Sequence, residues 1–153
     1  MYDSYLVVKD TLQNDVENGK TVGFSFGVRL ANYRGIFLSL VNGFYVEVDG
    51  KVYSRDEQTF EINGRPARSM DEIAKCYWEH WDMQDMGRVH ILEEGGLAPG
   101  EHKITYMECN LAYYGYHGKG CDDEIFVKNP PQPGDPMGSE KTPIKNDYVL
   151  ELR

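Results

Sequence analysis

The sequence lacks basic clusters, an export signal and long apolar runs, and each absence argues against a class of protein. The 153 residues carry a formal net charge of −9, and Lys and Arg are nowhere grouped. A surface of that sign repels phosphate backbones and anionic lipids, so the composition argues against nucleic-acid binding and membrane binding. The N-terminal residues contain no basic segment followed by a long apolar run, which predicts neither a signal peptide nor a membrane anchor.

Cysteine and histidine are scarce and form no recognisable site. Cys76, Cys109 and Cys121 are an odd set without C-x-x-C spacing, which predicts free thiols in a reducing cytoplasm. The four histidines form no HxH, HxxxH or HExxH motif, so no local metal site is predicted. His90 and His102 fall within strand patterns, where surface or hydrogen-bonded core histidines are expected. Nucleophile elbows, P-loops and dinucleotide fingerprints are also missing, so we predict no metal, cofactor or complete active site in this chain.

The sequence does contain a series of short strand patterns. The clearest lies between Val22 and Leu30, where Val22, Phe24, Phe26, Val28 and Leu30 alternate with small or polar residues. Similar segments follow at about 36–40, 44–53, 60–62, 88–92, 103–111 and 148–152. Asn42-Gly43, Asp49-Gly50 and Asn63-Gly64 separate several of them and predict tight turns.

A single short helix interrupts the strands. Ser69 and Glu72 have the spacing of a capping box, and the helix is expected to end by Cys76. Strands every 8–12 residues with one short helix and no βαβ alternation predict an all-β antiparallel β-sandwich, either jelly-roll or Ig-like. We expect residues 1–153 to form one sandwich domain with a proline-rich loop or arm at about 129–145.

Two aromatic segments are candidates for binding. Trp78 and Trp81 lie among polar residues, as in aromatic platforms that hold sugars or dock partners. Large aromatic side chains also fill sandwich cores, so core and surface positions both remain open for these tryptophans.

The second segment is a glycine-rich loop that carries Tyr113, Tyr114, Tyr116 and His117. Its composition is typical of loops that contact ligands or partners, and the alternative is an exposed connection without a role. His117 is the one catalytic candidate, because an imidazole can act as acid or base near neutrality. The sequence identifies no partner for it.

Five sequence blocks, in order, resemble the small β subunit of bacterial C-glycoside deglycosidases. The most specific is YRGIFLSL at residues 33–40. The others are GFSFGVRL at 23–30, VEVDG at 46–50, FEING at 60–64 and GLAPGEH at 96–102, so the resemblance covers about residues 5–111. The loop at 113–117 lies beyond it.

The resemblance implies a partner and a reaction. In that family a larger α subunit, built as a xylose-isomerase-like barrel, binds a divalent metal, expected to be manganese, and supplies the catalytic base. The pair cleaves the carbon–carbon bond between sugar and aglycone in 3-oxo-C-glycosides, such as those of flavonoids. The 3-ketone acidifies the C2 proton, the base removes it, and the metal stabilises the enolate. This chain would be a non-catalytic subunit that supports the α subunit in a cytoplasmic hetero-oligomer.

Residues of the most specific block are the predicted contact with that partner. We expect Tyr33, Arg34, Ile36 and Phe37 to face it, since arginine and tyrosine are favoured at interface hot spots. The alternative is a free carbohydrate-binding sandwich module that uses the tryptophans and the loop at 113–117. The third hypothesis is a small stand-alone hydrolase or isomerase, but the sequence contains no recognisable active site for one. The sequence leaves open the sugar, the aglycone and the stoichiometry.

Overall fold

The computed structural model describes residues 6–30, 35–82, 84–110 and 146–152, and within these ranges the chain forms eleven strands and one α-helix. The strands are β1 (Gln13–Glu17), β2 (Lys20–Val28), β3 (Ile36–Phe37), β4 (Val41–Val48), β5 (Lys51–Tyr53), β6 (Gln58–Glu61), β7 (Arg68–Ser69), β8 (His80–Trp81), β9 (Gly87–Leu92), β10 (Gly100–Asn110) and β11 (Asn146–Leu152). The helix is α1 (Met70–Ile73), and 3-10 turns occupy Leu38–Leu40 and Arg55–Glu57.

The strands form two large antiparallel sheets and one small one. The five-stranded sheet has the order β1-β2-β9-β6-β7, the four-stranded sheet has the order β11-β10-β4-β5, and β3 pairs with β8. Every pair of these strands is antiparallel. The predicted all-β class is therefore confirmed. No helix among the described residues is long and apolar enough to cross a membrane.

Aromatic rings join the inner faces of the two large sheets. Phe24 and Phe26 on β2 are fully buried, as the alternation predicts. The Phe26 ring meets Tyr106 of β10 edge-on at 6.1 Å between centroids, and Phe24 meets Tyr53 of β5 at 5.4 Å. Since β2 belongs to one sheet and β10 and β5 to the other, these contacts hold the sheets face to face as a sandwich.

Phe44 on β4 lies at the centre of this core. Its ring centroid is 5.2 Å from that of Phe60, 5.8 Å from Tyr106 and 6.5 Å from Trp81. Trp81 is completely buried, and its indole N–H donates to the Asp85 carbonyl at 2.9 Å. The sequence left open whether Trp81 lies in the core or at the surface. The structure places it in the core, so the assignment of Trp81 to a ligand-facing surface is corrected.

A buried glutamine completes the hydrogen bonding of β4. β5 pairs with β4 only at Val46–Val48, so Phe44 lies beyond the paired part of β5. The Gln58 side chain accepts from the Phe44 N–H at 3.1 Å and donates to the Phe44 carbonyl at 2.6 Å. Because unpaired backbone groups are costly in a dry interior, this side chain stands in for a missing strand.

Two of the predicted turns are confirmed and one is wrong. Asp49-Gly50 and Asn63-Gly64 all have positive φ, between 51° and 90°, and form turns. Asn42-Gly43 instead lies inside β4, which advances three residues from Val41 to Phe44 while β10 advances two. The dipeptide forms a bulge, with Gly43 at φ 121°, because a bulge can use the same freedom at glycine that a turn requires.

The predicted capping box is also confirmed. The Glu72 N–H donates to the Ser69 hydroxyl at 3.2 Å, and the Ser69 N–H donates to the Glu72 carboxylate at 3.0 Å. The helix is capped at Ala74, two residues before Cys76. Met70 and Ile73 are buried, which docks this single turn on the core.

The contrast between the two tryptophans gives a stability prediction. Trp81→Ala is expected to lower the free energy of unfolding by about 3–5 kcal/mol, because it removes a buried indole from between Phe44 and Phe60. Trp78→Ala should change it by no more than about 0.5 kcal/mol, because that side chain is 70% exposed. Urea unfolding followed by far-UV circular dichroism measures both variants. Equal losses would contradict the placement of Trp81 in the core.

Candidate functional site

Most of the residues predicted to face a ligand or partner lie outside the described part of the chain. These are the loop residues Tyr113, Tyr114, Tyr116 and His117 and the interface residues Tyr33 and Arg34. The proline-rich segment at 129–145 lies outside it as well. The expectations for these residues stay predictions.

The remaining predicted interface residues point in opposite directions. Ile36 is buried, whereas Phe37 is 48% exposed. Successive side chains of a strand project to opposite faces, so only one of the two can meet a partner. The assignment of the Ile36 side chain to an exposed interface is therefore corrected, and Phe37 is the described residue of that prediction that remains available.

Phe37 belongs to an exposed aromatic surface, which we define as Phe37, Tyr77 and Trp78. The segment that carries Tyr77 and Trp78 runs beside the end of β3, where the Leu38 N–H donates to the Glu79 carbonyl at 2.8 Å. The Phe37 ring lies edge-on to His80 at 5.2 Å. Tyr77 and Trp78 are each 70% exposed. Three aromatic side chains from two neighbouring segments thus face solvent.

A buried ion pair anchors the segment behind this surface. Arg68 donates twice to the Glu79 carboxylate, at 2.9 and 2.7 Å, and the Asn63 amide donates to it at 3.1 Å. These hydrogen bonds, led by those from Arg68, lower the pKa of Glu79 to about 2. Cys76, which precedes Tyr77 just as Glu79 follows Trp78, is also buried. Tyr77 and Trp78 are therefore exposed on a segment that is fixed at both ends.

The second candidate site lies on the outer face of the five-stranded sheet and is centred on His90. Its Nδ1 is 2.7 Å from Asp15 Oδ2, and its Nε2 is 2.7 Å from Glu61 Oε1. The Ser25 hydroxyl donates to the other oxygen of Asp15 at 3.0 Å and accepts from Arg88. We call Asp15, Glu61 and His90 the histidine cluster. It links β1, β9 and β6 across the sheet.

The geometry favours a charged histidine in the cluster. Ionised carboxylates only accept hydrogen bonds, so an imidazole with an ionised carboxylate at each nitrogen can donate to both only as an imidazolium. Burial opposes this charge, but the bonds to Asp15 and Glu61 outweigh it and raise the pKa of His90 above its ordinary value. Burial likewise opposes the charge of Asp15, and the bond to His90 outweighs it, so the pKa of Asp15 is lowered.

The histidine cluster opens into a groove of about 520 Å³. Its polar lining includes Thr59 besides the cluster, and its apolar lining includes Val16, Val22 and Leu92. The alternation pattern predicted Val22 on the core face with Phe24, but the structure differs. The pairing of β1 with β2 runs from Asp15↔Gly23 to Val16↔Thr21 and skips Val22, so a bulge brings Val22 to the groove.

The sequence did not predict the histidine cluster. His90 was expected to be a hydrogen-bonded strand residue, and it is one, but its partners lie 75 and 29 residues away. No local motif joins them, because the sheet register brings them together. Among the residues that the structure describes, no group of three or more His, Cys, Asp or Glu is arranged to hold a metal ion.

Comparison with known families places the chain. A family model described as the C-glycoside deglycosidase beta subunit matches residues 2–114. The chain belongs to this family. A curated C-glycoside deglycosidase beta subunit from Eubacterium cellulosolvens is 34% identical over 97 residues, which are 63% of this chain and 65% of that relative. The resemblance in the sequence is confirmed, and the aromatic surface and the histidine cluster both lie within the matched residues.

The histidine cluster predicts a pH-dependent stability. The raised pKa of His90 means that its contribution is fully present below the unfolded pKa of about 6.5 and is lost as the pH rises through the folded value. We expect the wild type to be more stable than His90→Gln by roughly 2 kcal/mol at slightly acid pH, with the gap narrowing in alkaline buffer. Urea unfolding across this pH range measures the gap. A gap that stays constant with pH would contradict the imidazolium assignment.

Proposed function

We propose that this chain is the β subunit of a heteromeric C-glycoside deglycosidase, a lyase that cleaves the carbon–carbon bond between sugar and aglycone of 3-oxo-C-glycosides. The match of the beta-subunit family model over residues 2–114 carries this proposal. The name of the relative from Eubacterium cellulosolvens supports it. A β subunit implies an assembly with an α subunit, and the cytoplasmic location expected from the sequence is part of the same proposal.

The proposal assigns the bond-breaking chemistry to the partner. An α subunit of the xylose-isomerase-like type would supply the base and a divalent metal, expected to be manganese, which stabilises the enolate. The donor groups described here do not fit that metal, because His90 already directs both ring nitrogens at carboxylates. No step of the reaction is therefore assigned to a metal on this chain, and its role is to support the α subunit.

The aromatic surface is the described region that suits a partner best. Aromatic side chains are enriched at interfaces and supply many hot spots. The Arg68–Glu79 pair holds the segment in place before any partner arrives, which reduces the cost of ordering it on binding. Tyr33 and Arg34 lie four and three residues before Phe37 in the sequence, so the interface predicted from the sequence and this surface are close along the chain.

The alternative of a free carbohydrate-binding module based on two tryptophans loses part of its support. Trp81 is buried in the core and cannot form a platform with Trp78. What remains of that platform is Trp78 with Tyr77 and Phe37, which lie on the aromatic surface.

Reconstitution tests the proposed function. An α subunit of the xylose-isomerase-like type from the same genome, this chain, and a mixture of the two are each given a 3-oxo-C-glucoside, and release of the aglycone is measured by liquid chromatography. We expect full activity only from the mixture. Full activity of this chain alone, or a mixture no faster than the α subunit, would refute the proposal.

The aromatic surface predicts a specific loss of assembly. Trp78→Ala should raise the Kd for the α subunit by about 30-fold, which corresponds to a hot-spot loss of about 2 kcal/mol. Val149→Ala is the control. Val149 is exposed to a similar degree, 67% against 70% for Trp78, and lies on β11 of the four-stranded sheet. Titration calorimetry with both variants gives the comparison. The same Kd for Trp78→Ala and wild type would place the interface elsewhere.

A further inference from the structure

We propose that His80 is the polar anchor of the aromatic surface, where its Nε2 accepts a hydrogen bond from an N–H or O–H group of the α subunit. The identity of that partner rests on the proposed function, whereas the anchoring atom and its chemistry come from this chain alone. They follow from the bond between His80 and Asp82, from the exposure of Nε2 and from the packing of residues 35–37 around the pair.

A carboxylate holds the His80 ring in one orientation. His80 Nδ1 lies 2.6 Å from Asp82 Oδ1. An ionised carboxylate only accepts hydrogen bonds, so Nδ1 donates to it and carries a proton. In the neutral ring the other nitrogen, Nε2, then keeps its lone pair and is a hydrogen-bond acceptor. Carboxylates fix the tautomer and orientation of an imidazole in this way where one ring nitrogen has to be presented to another group.

The Nε2 atom of His80 is available to another molecule. It makes no hydrogen bond to any residue that the structure describes, and it is not buried. The side chain is 39% exposed, and that of Asp82 is 64% exposed. By contrast, His90 and His102 each direct both ring nitrogens at acceptors within the chain. Among the three histidines that the structure describes, His80 is therefore the one that can bond to a partner.

The chain around β3 is shaped to fit this pair. Phe37 is opposite His80 in the β3–β8 ladder, and its ring lies edge-on to the imidazole at 5.2 Å. Gly35 has a φ of 74°, and a Cβ at this position would lie 2.6 Å from His80 Cε1 and 3.1 Å from Asp82 Oδ1. Any larger residue would strain the backbone and displace the pair. The most specific block of the sequence, YRGIFLSL, thus packs directly on His80 and Asp82.

His80 adds a specific polar contact to a surface that is otherwise aromatic. A partner that covers the Phe37 ring also covers the imidazole packed against it, and Tyr77 and Trp78 precede His80 in the same segment. An acceptor that is buried without a donor costs free energy. The α subunit is therefore expected to present an apolar patch with a hydrogen-bond donor beside it. A carboxylate or carbonyl oxygen at the same place would be rejected, which gives the contact specificity.

Titration calorimetry of this chain with the α subunit tests the anchor. His80→Phe keeps a ring against Phe37 but removes Nε2, so it should raise the Kd about fivefold, the loss expected for one hydrogen bond. Its urea unfolding midpoint should equal that of the wild type. His80→Gln retains a polar acceptor and should recover part of the loss. Glu101→Ala is the control, because Glu101 is exposed on β10 of the four-stranded sheet, and its Kd should not change.

The outcomes separate this proposal from the proposed function. If His80→Phe binds the α subunit with the wild-type Kd, the anchor is overturned and the assembly stands; equal losses in His80→Phe and His80→Gln would also overturn it. No binding of the wild type to the α subunit would overturn both. Long-range ¹H–¹⁵N spectra of the imidazole give a readout without any partner. We expect a proton on Nδ1 only, and a proton on Nε2 in neutral buffer would overturn the assignment of a donor to the partner.

Discussion

The rest of the structure depends on the packing of one ring, Phe44. This ring contacts rings of both large sheets and of the small β3–β8 sheet. It fixes which faces of the sheets are internal and holds Trp81 in the core. Because Trp81 is fixed, the preceding residues must leave the core surface, and the buried Glu79 secures them as they do so. The exposure of Trp78 is thus a consequence of how its neighbours pack. The same inward packing leaves the outer face of the five-stranded sheet to polar residues.

That outer face is held together by electrostatics where the inner face is held by aromatic contacts. One imidazolium joins a carboxylate from β1 to a carboxylate from β6, through β9, which lies between β2 and β6 in the sheet. A one-residue slip of any of these strands would move its charged residue to the core face, where it would be buried without a partner. The histidine cluster therefore also specifies register. A groove built on such a cluster has polar groups in fixed positions, which is a general requirement of a specific binding site.

Local features of the sequence predicted much of the fold, whereas features that depend on strand register were missed. The alternation around Phe24, the capping box at Ser69 and the turn at Asp49-Gly50 each depend on neighbouring residues, and each was correct. The bulge at Asn42-Gly43 was taken for a turn because both use the same backbone freedom. The sequence could not show which of the two tryptophans is buried, since the stretch from Trp78 to Trp81 is too short to reveal an alternation of apolar and polar residues. The partners of His90 come from distant strands, so no sequence spacing could reveal them.

The size of the aromatic surface limits how it could hold the proposed α subunit. A fully buried aromatic side chain covers about 150–250 Å², so three side chains that are 48%, 70% and 70% exposed offer roughly 350 Å² between them. A stable interface buries about 800 Å² on each partner. The three rings can therefore act as hot spots but cannot form the whole contact. The additional area must come from residues around them, and Tyr33 and Arg34, which lie within four residues of Phe37 in the sequence, are the first candidates. An interface of that composition, aromatic anchors with an adjacent arginine, is the kind in which a few side chains carry most of the binding energy.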